Sequence, residues 1–381
     1  MNRLVQVMPY YSPPYVGGME MRARDRAERL ADLGWTVETL TSSEQTYPHT
    51  VSTGNLTVRY LRSREIAHTP LIFSLPAALL KVPKGSVVHV EAALAYCPET
   101  VAVFCGLRRI PYVVRMALDS AGHTKLRQSL LSAYQLTLLK RVYRQAARVV
   151  VLTPDDIVLV TEKYGVDPDK VLVIPNATNF TPSAARTHPH EPFRLLFVGR
   201  IEMQKNLPLL LRAVRRLLDL GGRAFRLDIA GDGSEMPTIR RLLRQLSLEE
   251  HVNLLGAVTG EALESLYEDS DALVLTSTRE AFGQVILEAM TKALPVVASN
   301  ITGVRSVVRQ GVTGLLSDLT EESFASDLHR LVNESDLYGR LSAGALEAAG
   351  RYSMEATVAA YARMYEEVAA DRSSRGRSRR P

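Results

Sequence analysis

Short apolar runs of strand length alternate with segments of helical periodicity along nearly the whole chain, in two successive blocks. In the first block the runs are Leu4–Met8, Val37–Thr41, Val58–Leu61, Val87–Val90, Tyr112–Val114, Val149–Leu152 and Val171–Ile174, with an amphipathic helix over Met19–Leu33. Apolar strands separated by helices are the pattern of parallel sheets covered on both faces. The stretch TPSAARTHPHEP, 181–192, has three prolines, two histidines and no periodic apolar pattern, so it reads as an interdomain linker. The alternation restarts at Phe193: FRLLFVGR, a helix over Leu207–Leu220, FRLDIAGDG, a helix over Met236–Leu246, VNLLGAV, a helix near Glu261–Glu268, ALVLT and PVVAS. The expected fold is therefore α/β, with two Rossmann-like domains facing a central cleft. Residues 1–180 form the first domain and 193–351 the second; a helix over 352–371 crosses back to the first. In open sheets of this kind, ligands bind beyond the carboxyl ends of the strands.

A chain of 381 residues is too long for one ordinary core, and 46% hydrophobic with 23% charged residues is a globular composition. No run approaches the roughly 18 apolar residues of a membrane span. The N-terminus reads as a buried strand and loop rather than a signal peptide, so the expected location is cytoplasmic. Cys97 and Cys105 lie eight residues apart on one expected helix, too distant to bridge, and suit burial in a reducing compartment. The net charge of +5 is matched by five arginines in the last ten residues, RSSRGRSRRP, a tail expected to be disordered over 372–381. Specific nucleic-acid recognition is not expected. From Thr100 to Pro154 there are nine Lys or Arg and one acid, Asp119. Much of this charge falls on a long helix, about 125–148, which suits a solvated face above a leucine stripe or peripheral contact with an anionic membrane.

Function is most legible in TREAFGQVILEAMTK, Thr278–Lys292. Glu280 follows the apolar strand Ala272–Thr276, and Glu288 is expected on the first turn of the next helix. The first N–H groups of a helix have no internal partner, so Phe282, Gly283 and Gln284 offer an anion site. Two carboxylates beside it accept hydroxyl hydrogen bonds, an arrangement suited to a sugar joined to a nucleotide. Upstream, GRIEMQKN places Arg200 and Lys205 after another strand, where two cations suit a diphosphate. Asn206 is expected to cap the following helix, with Pro208 in its first turn. DPD at 167–169 and DSD at 269–271 have the Asp-x-Asp spacing of metal-dependent transferases but fall away from this site, so no metal and no cofactor are expected.

In order and spacing these motifs resemble the donor domain of retaining glycosyltransferases of family 4: the Gly199–Arg200 to Lys205–Asn206 unit, IAGDGSE at Ile229–Glu235, LLGAV at Leu254–Val258 and the Glu280/Glu288 pair. The opening PYYSPPYVGGMEMRARDRAERLADLGWTVETLT, with Gly17–Gly18, and RVVVLTPDDIVLVTEKYGVDPDKVLVIPNATNF before the linker also resemble that family. The similarity covers about 350 residues, and it implies the GT-B fold and transfer of a hexosyl unit from a UDP- or GDP-sugar. It implies that Glu288 binds ribose, Arg200 and Lys205 the diphosphate, and Glu280 with Ala281, Phe282 and Gly283 the donor sugar. Val258 would also line the donor site, and Gly17 and Gly18 would let backbone approach the phosphates.

The chain departs from its relatives in two places. Arg115 and Ala117 occupy positions where relatives often carry a His, leaving Asp119 and His123 nearby; Asp119 is the candidate to orient acceptor or sugar. Ser306 stands where relatives often place a Glu. A nucleotide-sugar epimerase of the same architecture and a noncatalytic nucleotide-sugar-binding protein are the alternative readings. The acceptor is unassigned, with glycolipid, polysaccharide and antibiotic biosynthesis all compatible.

Overall fold

The structure is a computed structural model that describes residues 2–13, 18–43, 48–66, 69–116 and 125–377. Gly17, Ala117, Asp119 and His123 lie outside the described residues. The chain divides into two compact units, Met1–Pro175 with Glu355–Pro381, and Asn176–Met354.

In the first unit the strands are β1 (Arg3–Val7), β2 (Thr36–Ser42), β3 (His49–Thr53), β4 (Leu56–Leu61), β5 (Ser63–Ile66), β6 (Thr69–Ile72), β7 (Val87–Ala92), β8 (Tyr112–Met116), β9 (Arg148–Val151) and β10 (Val171–Val173). Eight of them form one sheet in the order β10-β9-β8-β7-β1-β2-β4-β3, and β5 and β6 make a separate hairpin. All pairs in the large sheet are parallel except β3 with β4. Strand β3 is exposed at every residue, so it has no apolar run to announce it. The long helix expected over 125–148 is three continuous pieces: Lys125–Tyr134, a π-turn at Gln135–Leu139, and Lys140–Gln145. The last helix, Met354–Arg377, enters the segment expected to be a disordered tail, because its helical hydrogen bonding continues past Asp371.

The second unit has six strands: β11 (Phe193–Val198), β12 (Phe225–Ala230), β13 (Val252–Gly256), β14 (Ala272–Leu275), β15 (Val296–Ser299) and β16 (Gly314–Ser317). Their order is β13-β12-β11-β14-β15-β16, and every pair is parallel. In chain order this is the 3-2-1-4-5-6 arrangement of dinucleotide-binding sheets, whose connections reverse direction between the first and fourth strands. Here that reversal falls between β11 and β14. Both are buried at nearly every residue, which is why they read as unbroken apolar runs.

The stretch 181–192, read as a linker, is fastened to the second unit. Fully buried Asp271 accepts from the His190 and Arg194 backbone N–H groups at 3.1 and 2.8 Å and contacts His190 Nδ1 at 2.8 Å. Ser183 N–H donates to the Thr291 carbonyl at 3.0 Å. Asp271 therefore has a structural task that its DSD spacing did not disclose. Asp167 likewise serves the backbone, accepting from Asp169 N–H at 3.1 Å.

Candidate functional site

The reversal between β11 and β14 is where Lys205 and Glu280 meet. Gly199 follows strand β11, and a short turn carries the chain through Met203–Lys205 to the helix Leu207–Leu220. Strand β14 is followed by Thr276 and Ser277, both fully buried, and then by Glu280. The two loops are joined by backbone and side-chain bonds: Thr276 Oγ1 donates to the Lys205 carbonyl at 2.9 Å, Thr278 N–H to the Gln204 carbonyl at 2.9 Å, and Gln204 Nε2 to the Arg279 carbonyl at 2.6 Å. This frame brings Lys205 Nζ within 2.5 Å of Glu280 Oε1, and Ser277 Oγ donates to the same oxygen at 2.7 Å. Among the described residues, Glu280 Oε2 takes no bond, so the carboxylate keeps acceptor capacity while its orientation is fixed.

Close backbone approach around this pair depends on glycine. A Cβ on Gly231, the first glycine of IAGDG, would fall 1.8 Å from the Gly199 carbonyl oxygen, and one on Gly303 would fall 2.0 Å from that of Glu280. Neither clash is with a side chain that can rotate away.

Glu288 is held from another direction. It is the fifth residue of the helix Gln284–Thr291, so it sits on the second turn rather than the first. Its Oε2 accepts from the Tyr267 hydroxyl at 2.8 Å. Burial, then the Glu288 charge, raises the Tyr267 phenol well above its ordinary value, so the phenol remains a donor. Gly283 opens the helix in the left-handed region at φ 75°, and as the cap residue it has no side chain to bond the first N–H groups. Phe282 offers backbone only: its ring is buried and lies edge-on to Tyr352 at 5.8 Å. Ala281 and Val258 are half-buried in the loops after β14 and β13.

Several expected residues stand differently. Arg200 is 81% exposed and pairs with Glu202 at 3.0 Å, so it is not gathered onto the Lys205–Glu280 pair. Asn206 occupies the expected cap position, but its backbone is left-handed at φ 52° and its side chain makes no capping bond. Ser306 donates to the Gly303 carbonyl at 2.8 Å, a local turn bond. Sequence reading missed Ser277 and Tyr267. Ser277 carries the signal of a hydroxyl three residues before a carboxylate, but nothing in the chain marks Tyr267.

In the first unit, Gly18 begins the helix Gly18–Asp32. Arg115, at a position where a His was anticipated, is buried on β8 and bonds Glu91 Oε2 at 2.8 Å. Arg26 reaches Glu91 Oε1 at 3.2 Å, and His89 Nε2 lies 3.4 Å from that oxygen. Burial raises the Glu91 carboxyl, but Arg115, His89 and Arg26 outweigh it and hold it well below its ordinary value. Burial pushes the Cys97 and Cys105 thiols up to about 12, which leaves them inert. Among the described residues, no group of three or more His, Cys, Asp or Glu side chains is placed to hold a metal ion, and no helix is long and apolar enough to cross a membrane.

Two doubly wound units, the second carrying a cation and paired carboxylates at its strand reversal, define a GT-B fold. The chain belongs to glycosyltransferase family 4, the glycosyl transferases group 1. The profile described as "Glycosyl transferases group 1" matches residues 181–347, and that described as "Glycosyl transferase 4-like domain" matches 17–177. A D-inositol 3-phosphate glycosyltransferase of Stackebrandtia nassauensis is 30% identical over 383 residues, covering 90% of this chain and 84% of that protein. The protein of the same name from Geodermatophilus obscurus is 35% identical over 253 residues; that match spans 61% of this chain but only 56% of the relative's length. Sucrose-phosphate synthase from Thermosynechococcus elongatus has a TM-score of 0.77 at 19% identity, covering 97% of this chain and all (100%) of that one. Anabaena HepE in complex with UDP and glucose has a TM-score of 0.76 at 17% identity, covering 96% and 100%. At these identities the two structures speak to fold alone.

Proposed function

We propose that this protein transfers a hexosyl unit from a nucleotide diphosphate sugar to an acceptor hydroxyl, with retention at the anomeric carbon and without a metal ion. The observation that carries the reading is the two independently fixed carboxylates, Glu280 held by Lys205 and Ser277 on the loop after β14 and Glu288 held by Tyr267 on the helix that follows. Glu288 takes the ribose hydroxyls, and Glu280, with the backbone of Ala281, Phe282 and Gly283, takes the donor sugar. Lys205 and Arg200 receive the diphosphate; Arg200 must leave Glu202 to do so, a small movement for an exposed side chain. Preplaced cations stabilise charge that develops on the leaving group.

In the transfer step the acceptor oxygen forms a bond to the anomeric carbon on the face the diphosphate leaves. The carbon–oxygen bond to the diphosphate breaks with its electron pair on the phosphate oxygen, and that oxygen takes the acceptor proton. No protein base is required, which accommodates Arg115 and Ala117 at the His positions. Gly17, Gly18, Val258 and Asp119 retain their assigned roles in the donor and acceptor sites as part of this proposal.

Relatives named for D-inositol 3-phosphate and fold neighbours holding UDP support trying UDP-hexoses and a phosphorylated cyclitol first. We place the enzyme in the cytoplasm, in peripheral contact with an anionic membrane through the segment 125–148. The test is incubation of the purified protein with a panel of UDP- and GDP-hexoses, with and without D-myo-inositol 3-phosphate. Acceptor-dependent release of nucleoside diphosphate and a product keeping the donor's anomeric configuration are expected. A new nucleotide sugar formed from donor alone would replace this reading with an epimerase.

A further inference from the structure

Three helical segments of the first unit lie side by side on one face of its sheet: Leu75–Lys81, Cys97–Arg108 and the run Gln135–Gln145. Their inner faces enter one core through Leu75 and Leu79, Val101 and Cys105, and Leu139 and Val142. The outer faces are less ordinary. On the first, Leu80 is 51% exposed beside exposed Lys81. On the second, Val103 and Leu107, one turn apart, are 56% and 73% exposed, and exposed Arg109 follows. On the third, Leu136 and Leu138 are 52% and 55% exposed, ahead of exposed Arg141 and Arg144.

Two features show that this is more than scattered surface leucine. The three segments contain one acidic residue, Glu99, and its carboxylate is engaged by the Tyr134 hydroxyl at 2.6 Å. The third segment also passes through the π-turn Gln135–Leu139, which widens the helix and turns Leu136, Thr137 and Leu138 outward in succession. The helix Gly18–Asp32 contributes nothing to that core and carries mixed charge, with Arg24 paired to Glu28. The next helix along, Pro154–Tyr164, exposes Asp155 and Glu162, so the acid-free surface ends there.

We infer that these three outer faces form one docking surface for an anionic lipid bilayer. Exposed leucines enter the headgroup boundary while Lys and Arg stems lie along apolar surface with their charges among lipid phosphates. A bilayer is favoured over a nucleic acid because the cations alternate with aliphatic side chains, and none of these outer positions is aromatic. The inference rests on the proposed peripheral contact and relocates it from one segment to a three-helix face. The shared inner core fixes the relative placement of the three segments.

The test is cosedimentation of the full chain with vesicles of phosphatidylcholine alone or mixed with phosphatidylglycerol, without donor or acceptor, so that it reads binding independently of transfer. The wild-type protein binds the mixed vesicles and not the neutral ones. Leu80→Ser/Leu107→Ser and Leu136→Ser/Leu138→Ser each weaken partitioning about tenfold, as does Lys81→Glu/Arg141→Glu. All variants keep the arginine-rich C-terminus, so its attraction is common to them, and unchanged circular dichroism melting reports that they fold. If Leu80→Ser/Leu107→Ser binds as the wild type while Leu136→Ser/Leu138→Ser does not, the contact is the single segment and the three-helix face is wrong. If neither leucine pair matters but charge reversal does, and a short RNA competes, the surface binds nucleic acid. Absence of wild-type binding overturns both the face and the peripheral contact, while the transfer assay still decides the catalytic reading.

Discussion

Lys205 and Glu280 are 75 residues apart in sequence and 2.5 Å apart in space, Nζ against Oε1. Their side chains are 18% and 12% exposed, so the pair is largely withdrawn from water. Each comes from the loop after one of the two strands at the sheet's reversal. The ammonium has three donors and spends one on Glu280. In the proposed reaction, a diphosphate arriving beside it would meet a cation whose position is already set.

Replacing Lys205 with Met is expected to lower kcat about 10²–10³-fold, the magnitude typical of losing one preplaced donor at a developing anion. It also leaves Glu280 without its cation in a poorly hydrated site, so Glu280→Gln in the same chain should recover stability but not activity. Donor consumption under saturating substrate and the melting temperatures of the wild type and the two variants measure this. Near wild-type turnover in Lys205→Met would remove the residue from the site.

Tyr267→Phe tests whether Glu288 acts through its orientation. The buried ring is retained and only the hydroxyl that donates to Glu288 Oε2 is lost. A hydrogen bond to a charged group contributes roughly 1.5–3 kcal/mol. Nucleoside diphosphate affinity should fall by about tenfold or more on that magnitude, and Glu288→Ala should fall further. Calorimetric titration reads both, and identical affinities for Tyr267→Phe and wild type would contradict the assignment.

Gly303→Ala separates placement from chemistry, because Gly303 bears no functional group. Its new methyl would lie 2.0 Å from the Glu280 carbonyl oxygen, so the loop that carries Glu280 must move. Transfer should drop at least tenfold on the scale that small misplacements cost, with donor binding through Glu288 less affected. Gly231→Ala, aimed at the Gly199 carbonyl from 1.8 Å, should damage folding as well. Its melting temperature is expected to lie below that of Gly303→Ala.

The sheets were legible because buried parallel strands are apolar without interruption: β11 and β14 could be read almost residue by residue. Exposed β3 and the β5–β6 hairpin had no such run and went unread. Glu280 and Lys205 drew notice because their loops follow apolar strands, and Glu288 because it lies in the helix just beyond. Their supports did not: Tyr267 and Asp271 find their partners only after folding, across sequence gaps that no local spacing encodes. Segment 181–192 shows the same limit, since its polar composition resembled a linker while the residue that binds its His190, Asp271, lies 81 residues further on. Arg200 shows the reverse case, a residue singled out by its motif whose side chain pairs with the nearer Glu202 in this structure.

The buried cluster around His89 predicts how the first unit responds to acid. Burial, reinforced by Arg26, holds the imidazole down to about 4, against 6.5 for the ordinary group. The neutral ring suits its surroundings: Nδ1 pairs with the Tyr365 hydroxyl at 2.8 Å, and Nε2 faces Glu91. Because the folded value lies below the unfolded one, the unfolded chain binds more protons between these limits. Stability is then fully present above about 6.5 and is lost as pH falls toward 4, by up to about 3 kcal/mol. Glu91, also depressed, adds to the loss once the unfolded carboxyl begins to protonate. Trp35 is the single tryptophan, belongs to this unit, and lies 5.8 Å from Tyr365, so its fluorescence follows the unfolding. His89→Gln keeps an acceptor for Tyr365 but cannot take up the proton. Its denaturation free energy should therefore vary less between pH 6.5 and 4.5 than that of the wild type, and an unchanged slope would assign the acid sensitivity to other groups.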